Sequence, residues 1–184
     1  MFTGVTTLTT DAFRDNIKMT SIGLNNITVM KYAALKGCSA LEAINAENLI
    51  NTCHGAFGGC TSLRYAVNMK SLTTYDGEAG NGAFTGCTSL KCSIHYELFI
   101  KMGKSCYEKC SALEALIFKC ITPPTFDSYA LNHTNDSFVI YVPDNSVSAY
   151  QGATNWIKYA NRIMGLDSLP SNNPDLYEEI KNYL

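Results

Sequence analysis

Apolar and small residues recur along the chain in a pattern that repeats about every 23 residues. Each repeat has a cysteine, a serine or threonine directly after it, and a leucine three positions after it. Four segments follow this pattern: GCSALEAI at 37–44, GCTSLRYA at 59–66, GCTSLKCS at 86–93 and KCSALEAL at 109–116. A repeat of this length is typical of a leucine-rich solenoid, in which each coil buries its apolar face against the next.

The repeat also predicts which way its side chains point. The leucines after the cysteines are expected in short strands with their side chains inward: Leu41, Leu63, Leu90 and Leu113. The sequence therefore predicts a β-rich α/β solenoid. Its expected form is a leucine-rich repeat right-handed superhelix of about five to six coils, with short helical turns and a C-terminal cap.

The pattern divides the chain into three parts. Residues 1–137 form the predicted leucine-rich repeat solenoid. Residues 138–166 form a C-terminal capping segment, in which 138–142 is a strand by its β-branched and aromatic content and Trp156 fills the end of the core. Residues 167–184 form a linker and a short amphipathic helix.

That terminal helix has clear start signals and an apolar face. Asn173 is a suitable N-cap and Pro174 suits the first helical position. Leu176, Ile180 and Leu184 are four residues apart, which places them on one side of the helix. This side either packs on the same chain or mediates self-association with a second subunit, and the sequence leaves both open.

Charge and hydropathy exclude several classes of function. The chain has 14 basic and 16 acidic residues, a net charge of -2, so no nucleic-acid partner is predicted. Its apolar runs are only a few residues long, so no membrane insertion is predicted. The opening segment MFTGVTTLTT lacks a basic region and an apolar region, so no signal peptide is expected.

The cysteines are better explained by packing than by chemistry. Four of the eight lie at the same position of the repeat, where a small buried side chain suits a turn: Cys38, Cys60, Cys87 and Cys110. The three histidines flank no pair of cysteines at a zinc-binding spacing. No metal site and no cofactor are predicted.

A catalytic role would have to combine Cys53 or Cys106 with His54 or His95 and an acid such as Asp76. No motif orients any of these residues toward another. Because catalysis must be argued from a site and none is visible, the sequence predicts a protein that is not an enzyme, with no catalytic residue.

Two regions are candidates for ligand binding. The outward-facing strand residues of stacked coils form a flat face, and here they predict an exposed apolar and aromatic strip: Tyr65, Val67, Met69, Ile94, Tyr96 and Ile117. A shift of one residue would turn that strip inward. The repeat between Leu72 and Ala83 is about five residues longer than the others, which predicts either a binding loop or a tolerated surface loop around Tyr75, Asp76 and Glu78.

The repeat motifs resemble those of the BspA-like leucine-rich repeat family. The similarity is carried by AFGGCTSLRYA, AFTGCTSLKCS and the ending ITPPTF followed by IYVPDNSVSAYQGATNWIKYANRIMGL, and it covers about residues 12–166. The resemblance implies a surface protein of host-associated anaerobic bacteria. It thus implies a cell-surface or secreted location, while the missing export signal leaves a cytoplasmic or virion-associated location open.

The function expected from the sequence is a non-enzymatic binding or adhesion module. It would recognise a protein or glycan ligand through the strand face of the solenoid. The alternative is a structural or assembly protein of a cell-surface layer or a phage particle.

Overall fold

Parallel strands in two sheets form the frame of the molecule. The computed structural model describes residues 4–76 and 81–184. One sheet has six strands within these residues: β1 (Thr7–Leu8), β3 (Val29–Met30), β5 (Asn51–Thr52), β7 (Thr74–Tyr75), β9 (Lys101–Met102) and β11 (Thr125–Phe126). The other has seven: β2 (Ser21–Gly23), β4 (Ala43–Asn45), β6 (Tyr65–Ala66), β8 (Cys92–His95), β10 (Ala115–Phe118), β12 (Val139–Val142) and β13 (Ile163–Gly165).

The chain alternates between the two sheets, so that a typical coil adds one strand to each sheet. Strands of successive coils are parallel and in register; Ala115, for example, pairs with Cys92 in β8 and with Val139 in β12. This confirms the predicted leucine-rich solenoid. The turns number about seven rather than five to six, because β12 and β13 continue the seven-stranded sheet beyond the last recognisable repeat.

Short helices follow the solenoid. They are α1 (Val147–Gly152), α2 (Leu169–Asn172) and α3 (Pro174–Ile180), with 3₁₀ turns at Asp144–Ser146, Ile157–Arg162, Leu166–Ser168 and Lys181–Tyr183. Trp156 is buried, donates from its indole nitrogen to the carbonyl of Pro124 at 2.8 Å, and meets the Phe118 ring edge-on at 5.0 Å. The last coil is therefore covered by aromatic side chains and its polar groups keep partners.

The helix α3 begins as the sequence predicts. Asn173 is its N-cap, and the Asn173 side-chain oxygen accepts a hydrogen bond from the backbone nitrogen of Leu176 at 3.2 Å. Pro174 occupies the first helical position, where its missing N–H leaves no intrahelical bond unmade.

Aromatic rings stack through the interior of the solenoid. Phe57, Phe84 and Tyr107 occupy the same position in successive coils and are all buried. Their ring centroids are 5.0 and 5.4 Å apart and their planes are within 4° and 7° of parallel. These separations match the spacing of hydrogen-bonded strands, about 4.8 Å, so the rings fill the core continuously.

The repeated cysteines form a second ladder. All eight cysteines are free, and the four at the repeat position are buried. Each donates from its thiol to a backbone carbonyl of the preceding coil: Cys38 to Phe13 at 3.1 Å, Cys60 to Leu35 at 3.3 Å, Cys87 to Phe57 at 3.1 Å and Cys110 to Phe84 at 3.2 Å. Each of these carbonyls also accepts a backbone N–H, from Asn16, Cys38, Cys60 and Cys87 respectively, so the thiol is a second donor to a carbonyl that is already bonded. The prediction of a structural role is confirmed.

Burial should also make these thiols unreactive. It raises the pKa of the Cys87 and Cys106 thiols well above the ordinary value. Only Cys53 among the eight is not buried. Titration of the native chain with Ellman's reagent should therefore show one fast-reacting thiol, and Cys53→Ser should abolish it. Several fast thiols in the folded variant would contradict the buried ladder.

The residue before each repeat cysteine turns the chain through the left-handed region. Gly37, Gly59 and Gly86 have φ values of +76°, +71° and +73° there. A side chain at such a φ is strained because its Cβ crowds the backbone. Lys109 has a φ of +63° at the same position of the fourth copy, which shows that the turn is imposed by the coil rather than by glycine itself.

A matched pair of glycines isolates this constraint. An added Cβ would meet no atom closer than 4.0 Å at Gly86 and none within 4 Å at Gly23, which has no positive φ. Gly86→Ala should lower the free energy of unfolding by about 1 kcal/mol, whereas Gly23→Ala should leave it unchanged or raise it slightly. Urea unfolding of the two variants measures this. Equal effects would mean that φ is not the constraint.

Candidate functional site

The strand residues predicted to bind a ligand lie on the outer face of the seven-stranded sheet, with one exception. Val67, Ile94, Tyr96 and Ile117 belong to an apolar cluster that is separate from the solenoid core, and Tyr65 packs against it. Met69 instead belongs to the core. The predicted outward orientation thus holds at Tyr65 and Val67, and it fails at Met69, three residues after the end of β6.

The predicted exposure of this strip is wrong. Val67, Met69, Ile94, Tyr96 and Ile117 are between 0 and 6% exposed, and only Tyr65 is partly exposed. Residues 166–184, named here the C-terminal cover, pack across the outer face. Three of its apolar side chains are buried there beside Ala115 and Tyr141: Leu169, Leu176 and Ile180. The terminal helix therefore packs on its own chain.

Around this apolar cluster, polar side chains of the solenoid contact the C-terminal cover. Glu179 accepts a hydrogen bond from the Tyr65 hydroxyl, and its carboxylate lies 3.3 Å from the Arg64 guanidinium and 3.8 Å from the Lys91 ammonium. The Tyr65 hydrogen bond, with help from the two cations, lowers the pKa of Glu179. At the far end of the cover, Lys119 donates to the backbone oxygen of Leu184 at 2.5 Å.

The uncovered part of the outer face has a different character. Ser21, Gly23, Ala43 and Asn45, in β2 and β4, are exposed. Their side chains are small or polar. The apolar half of the face is covered and the open half offers little apolar area.

The longer repeat does not present the side chains predicted there. Tyr75 is fully buried in β7, with its ring 5.3 Å from that of Phe84 and 5.2 Å from that of Phe99. Its expected place in an exposed loop is wrong, because its position in the coil faces the core. Asp76 is partly exposed and lies 3.6 Å from the Lys101 ammonium. Glu78 lies outside the described residues.

Two of the side chains considered for catalysis take up structural positions, whereas Cys53, His54 and Asp76 are only half-buried. Cys106 and His95 are buried in the core. His95 Nε2 lies 3.1 Å from the Tyr107 hydroxyl, which donates to Ser93 at 2.8 Å, and the His95 ring stacks on Phe118 at 4.3 Å. Burial lowers the pKa of His95 to about 3, so the ring is neutral in the folded chain. Within residues 4–76 and 81–184, no three His, Cys, Asp or Glu side chains group as a metal site would require.

An exposed aliphatic row lies at the corner that leads into the six-stranded sheet, and the sequence reasoning did not identify it. We name it the edge strip. Its members are 46 to 67% exposed: Ile50, Leu98, Ile100 and Ile121. Ile50 and Ile100 occupy the position directly before β5 and β9, where other coils have Thr28 and Thr73. The replacement of threonine by isoleucine at this repeat position is the signal that could have revealed the strip.

Backbone hydrogen bonds show that Ile50 and Ile100 lie two coils apart, with the coil of Thr73 between them. The backbone nitrogen of Thr73 donates to Ile50, and that of Ile100 donates to Thr73, each at 2.8 Å. A shallow groove of about 640 Å³ runs beside the first five coils, with Ile50 and Leu98 in its wall. A second groove holds Ile100 and Ile121. Carboxamides and hydroxyls line the first groove beside the aliphatic groups: Thr6, Asn25, Asn26, Thr28, Asn48, Ser71 and Thr73.

The comparisons with known proteins agree with this architecture. The chain matches the family model described as "BspA type Leucine rich repeat region" over residues 1–79 and 77–154, in six copies. It therefore belongs to this family, as its motifs predicted, and is a protein-binding or structural repeat module.

A solved structure and two negative findings complete the comparison. The crystal structure of a leucine-rich repeat protein of T. pallidum resembles the chain with a TM-score of 0.59 at 20% identity, covering 85% of this chain and 76% of that one. At that identity the likeness concerns the fold. No curated protein matches the chain. In the described part of the chain, no helix is both long and apolar enough to cross a bilayer.

The neutral His95 makes stability dependent on pH. Its folded-state pKa is lowered to about 3, whereas in the unfolded chain it takes up a proton below about pH 6.5. The free energy of unfolding is therefore highest above pH 6.5, where His95 is neutral in both states. It should fall by about 2 kcal/mol by pH 5, where only the unfolded chain binds the proton. His95→Phe should remove this loss in urea unfolding at the two pH values. His133→Phe, at an exposed histidine, should retain it; equal slopes in both variants would contradict the assignment.

Proposed function

We propose that the chain is a non-enzymatic binding module that recognises an extended polypeptide along the edge strip. The observation that supports this most strongly is the group of four aliphatic side chains, 46 to 67% exposed, at one corner of the solenoid, where the coil of Thr73 separates Ile50 from the other three. Exposed apolar residues gathered in one place usually mark an interaction surface, whereas scattered ones need no explanation.

The state of the strand face supports a site at the edge. The apolar residues predicted to bind a ligand through that face are covered. The side chains in its open part are small or polar. A ligand that approaches the chain as it is folded therefore meets more apolar area at the edge strip than on the strand face.

The groove chemistry favours a polypeptide as the ligand. Asn48, Ser71 and Thr73 line the groove with polar side chains. The Asn48 amide and the Thr73 hydroxyl already donate to the backbone oxygens of Asn25 and Ile50, at 2.7 and 3.0 Å, which leaves their side-chain oxygens as acceptors for the N–H groups of a peptide backbone. Ile50 and Leu98 beside them offer aliphatic contact for the ligand's side chains. Among the described residues that line the first groove none is charged, so the preferred segment is neutral and apolar.

Membership of the BspA-type family supports a cell-surface location and a role in adhesion. We propose that the module acts at the cell surface, in adhesion to proteins. A glycan ligand, and a structural role in a surface layer or particle, are the outcomes against which this proposal is tested.

Two equally exposed isoleucines provide the test. Ile100 belongs to the edge strip and Ile17 does not, and both are 63% exposed. Peptides selected from a random displayed library on the wild-type chain should bind Ile100→Asp at least tenfold more weakly, because a buried charge opposes apolar contact. They should bind Ile17→Asp as they bind the wild type. The measurement is fluorescence anisotropy of the labelled peptides.

The same experiment defines failure. Selected peptides that bind Ile100→Asp and the wild type equally would place the site elsewhere. If no peptide were selected and the chain bound to a glycan array, the ligand would be a glycan rather than a polypeptide.

A further inference from the structure

The geometry points to a second binding surface: the outer face of β8, β10 and β12, where the C-terminal cover acts as a displaceable internal ligand. We propose that this face binds an acidic amphipathic helix of a partner protein when the cover leaves. The inference does not depend on the edge strip, which lies on another side of the coils.

The apolar contact beneath the cover is separate from the solenoid core. Cys92, Ile94, Tyr96, Ala115 and Ile117 point outward and form one cluster with the cover's side chains. The inward residues of the same strands belong to the core cluster, which contains no residue of 166–184. Removal of the cover therefore leaves the core packing of the solenoid in place and exposes a continuous apolar surface.

The polar contacts of the cover are suited to release. Arg64, Lys91 and Glu179 retain 51, 32 and 38% of their side-chain exposure, so water screens their ion pairs. Exposed ion pairs of this kind contribute little to holding two segments together. The cover is also short, with a helix of seven residues in α3 and a single 3₁₀ turn after it. A helix of that length is not stable alone in water and depends on the face it covers.

The rim of the face defines the chemistry of the partner. Arg64, Lys91 and Lys119 stand around the apolar cluster and all contact the cover. Leu176 and Ile180 of the cover, four residues apart, pack on the apolar cluster. Glu179, which lies between them in the sequence, contacts Arg64 and Lys91 at the rim. A partner helix with two aliphatic residues at this spacing and a carboxylate beside the second reproduces these contacts.

The probe for this site is a fluorescein-labelled peptide of residues 166–184, titrated into the full chain. Ile180→Asp places a charge in the apolar contact and should release the chain's own cover. The labelled wild-type peptide should then bind Ile180→Asp at least tenfold more tightly than it binds the wild-type chain. A peptide carrying Glu179→Lys should bind the variant several-fold more weakly, because its lysine meets Arg64 and Lys91.

A control variant and a second measurement complete the design. Ile157→Asp changes an isoleucine that is 66% exposed and remote from the cover, and it should leave peptide binding unchanged. Hydrogen exchange of the wild-type chain, which needs no variant to fold, should show the amides of 177–180 opening faster than those of 115–118.

Three results would overturn the proposal. One is a folded Ile180→Asp chain that binds no peptide. Another is equally slow exchange of the amides in 177–180 and 115–118, since the cover would then open only with the whole fold. The third is a wild-type dimer in light scattering with its covers exchanged, since the face would then belong to a second copy rather than to a foreign helix. None of these results bears on binding to the edge strip.

Discussion

The stacking of one coil on the next, atom over equivalent atom, is the constraint on which the rest of the structure depends. Parallel strands fix the distance between coils at about 4.8 Å, so every inward position must hold a side chain that packs against its own counterpart. Flat rings at Phe57, Phe84 and Tyr107 meet this condition by stacking. The cysteine thiols meet it by bonding to the carbonyl of the coil before. Even Lys109 adopts a left-handed φ to keep the register.

The same winding creates outer faces that the core does not cover. On the seven-stranded sheet, the later coils place apolar side chains outward, and such a surface is not stable in water by itself. The cover removes it from solvent with Leu169, Leu176 and Ile180. The earlier coils place Ser21, Gly23 and Asn45 outward and need no cover. One sheet thus contains an open half and a closed half.

This division affects how a repeat protein of the family can use its surfaces. A ligand has access to the edge strip in the folded chain, since nothing in the described residues lies over Ile100 or Ile121. Access to the apolar strand face requires that Leu176 and Ile180 first leave it. Two surfaces with different conditions for binding are therefore present on one short solenoid, and both are built from residues at regular positions of the repeat.

The sequence by itself determined the period, the stacked coils of a leucine-rich solenoid, the inward leucines and cysteines, and the start of α3 at Asn173. These features depend on residues close together in the chain and repeated several times, so each copy corroborates the others. The tertiary structure alone decided that Ile94 and Ile117 are covered, because their partners Leu176 and Ile180 lie more than fifty residues away and belong to no repeat. It also decided that Tyr75 and Met69 face the core and that Ile50, Leu98, Ile100 and Ile121 remain exposed at one corner. Burial at these positions depends on how the coil bends at its corners, which the spacing of residues along the chain does not specify.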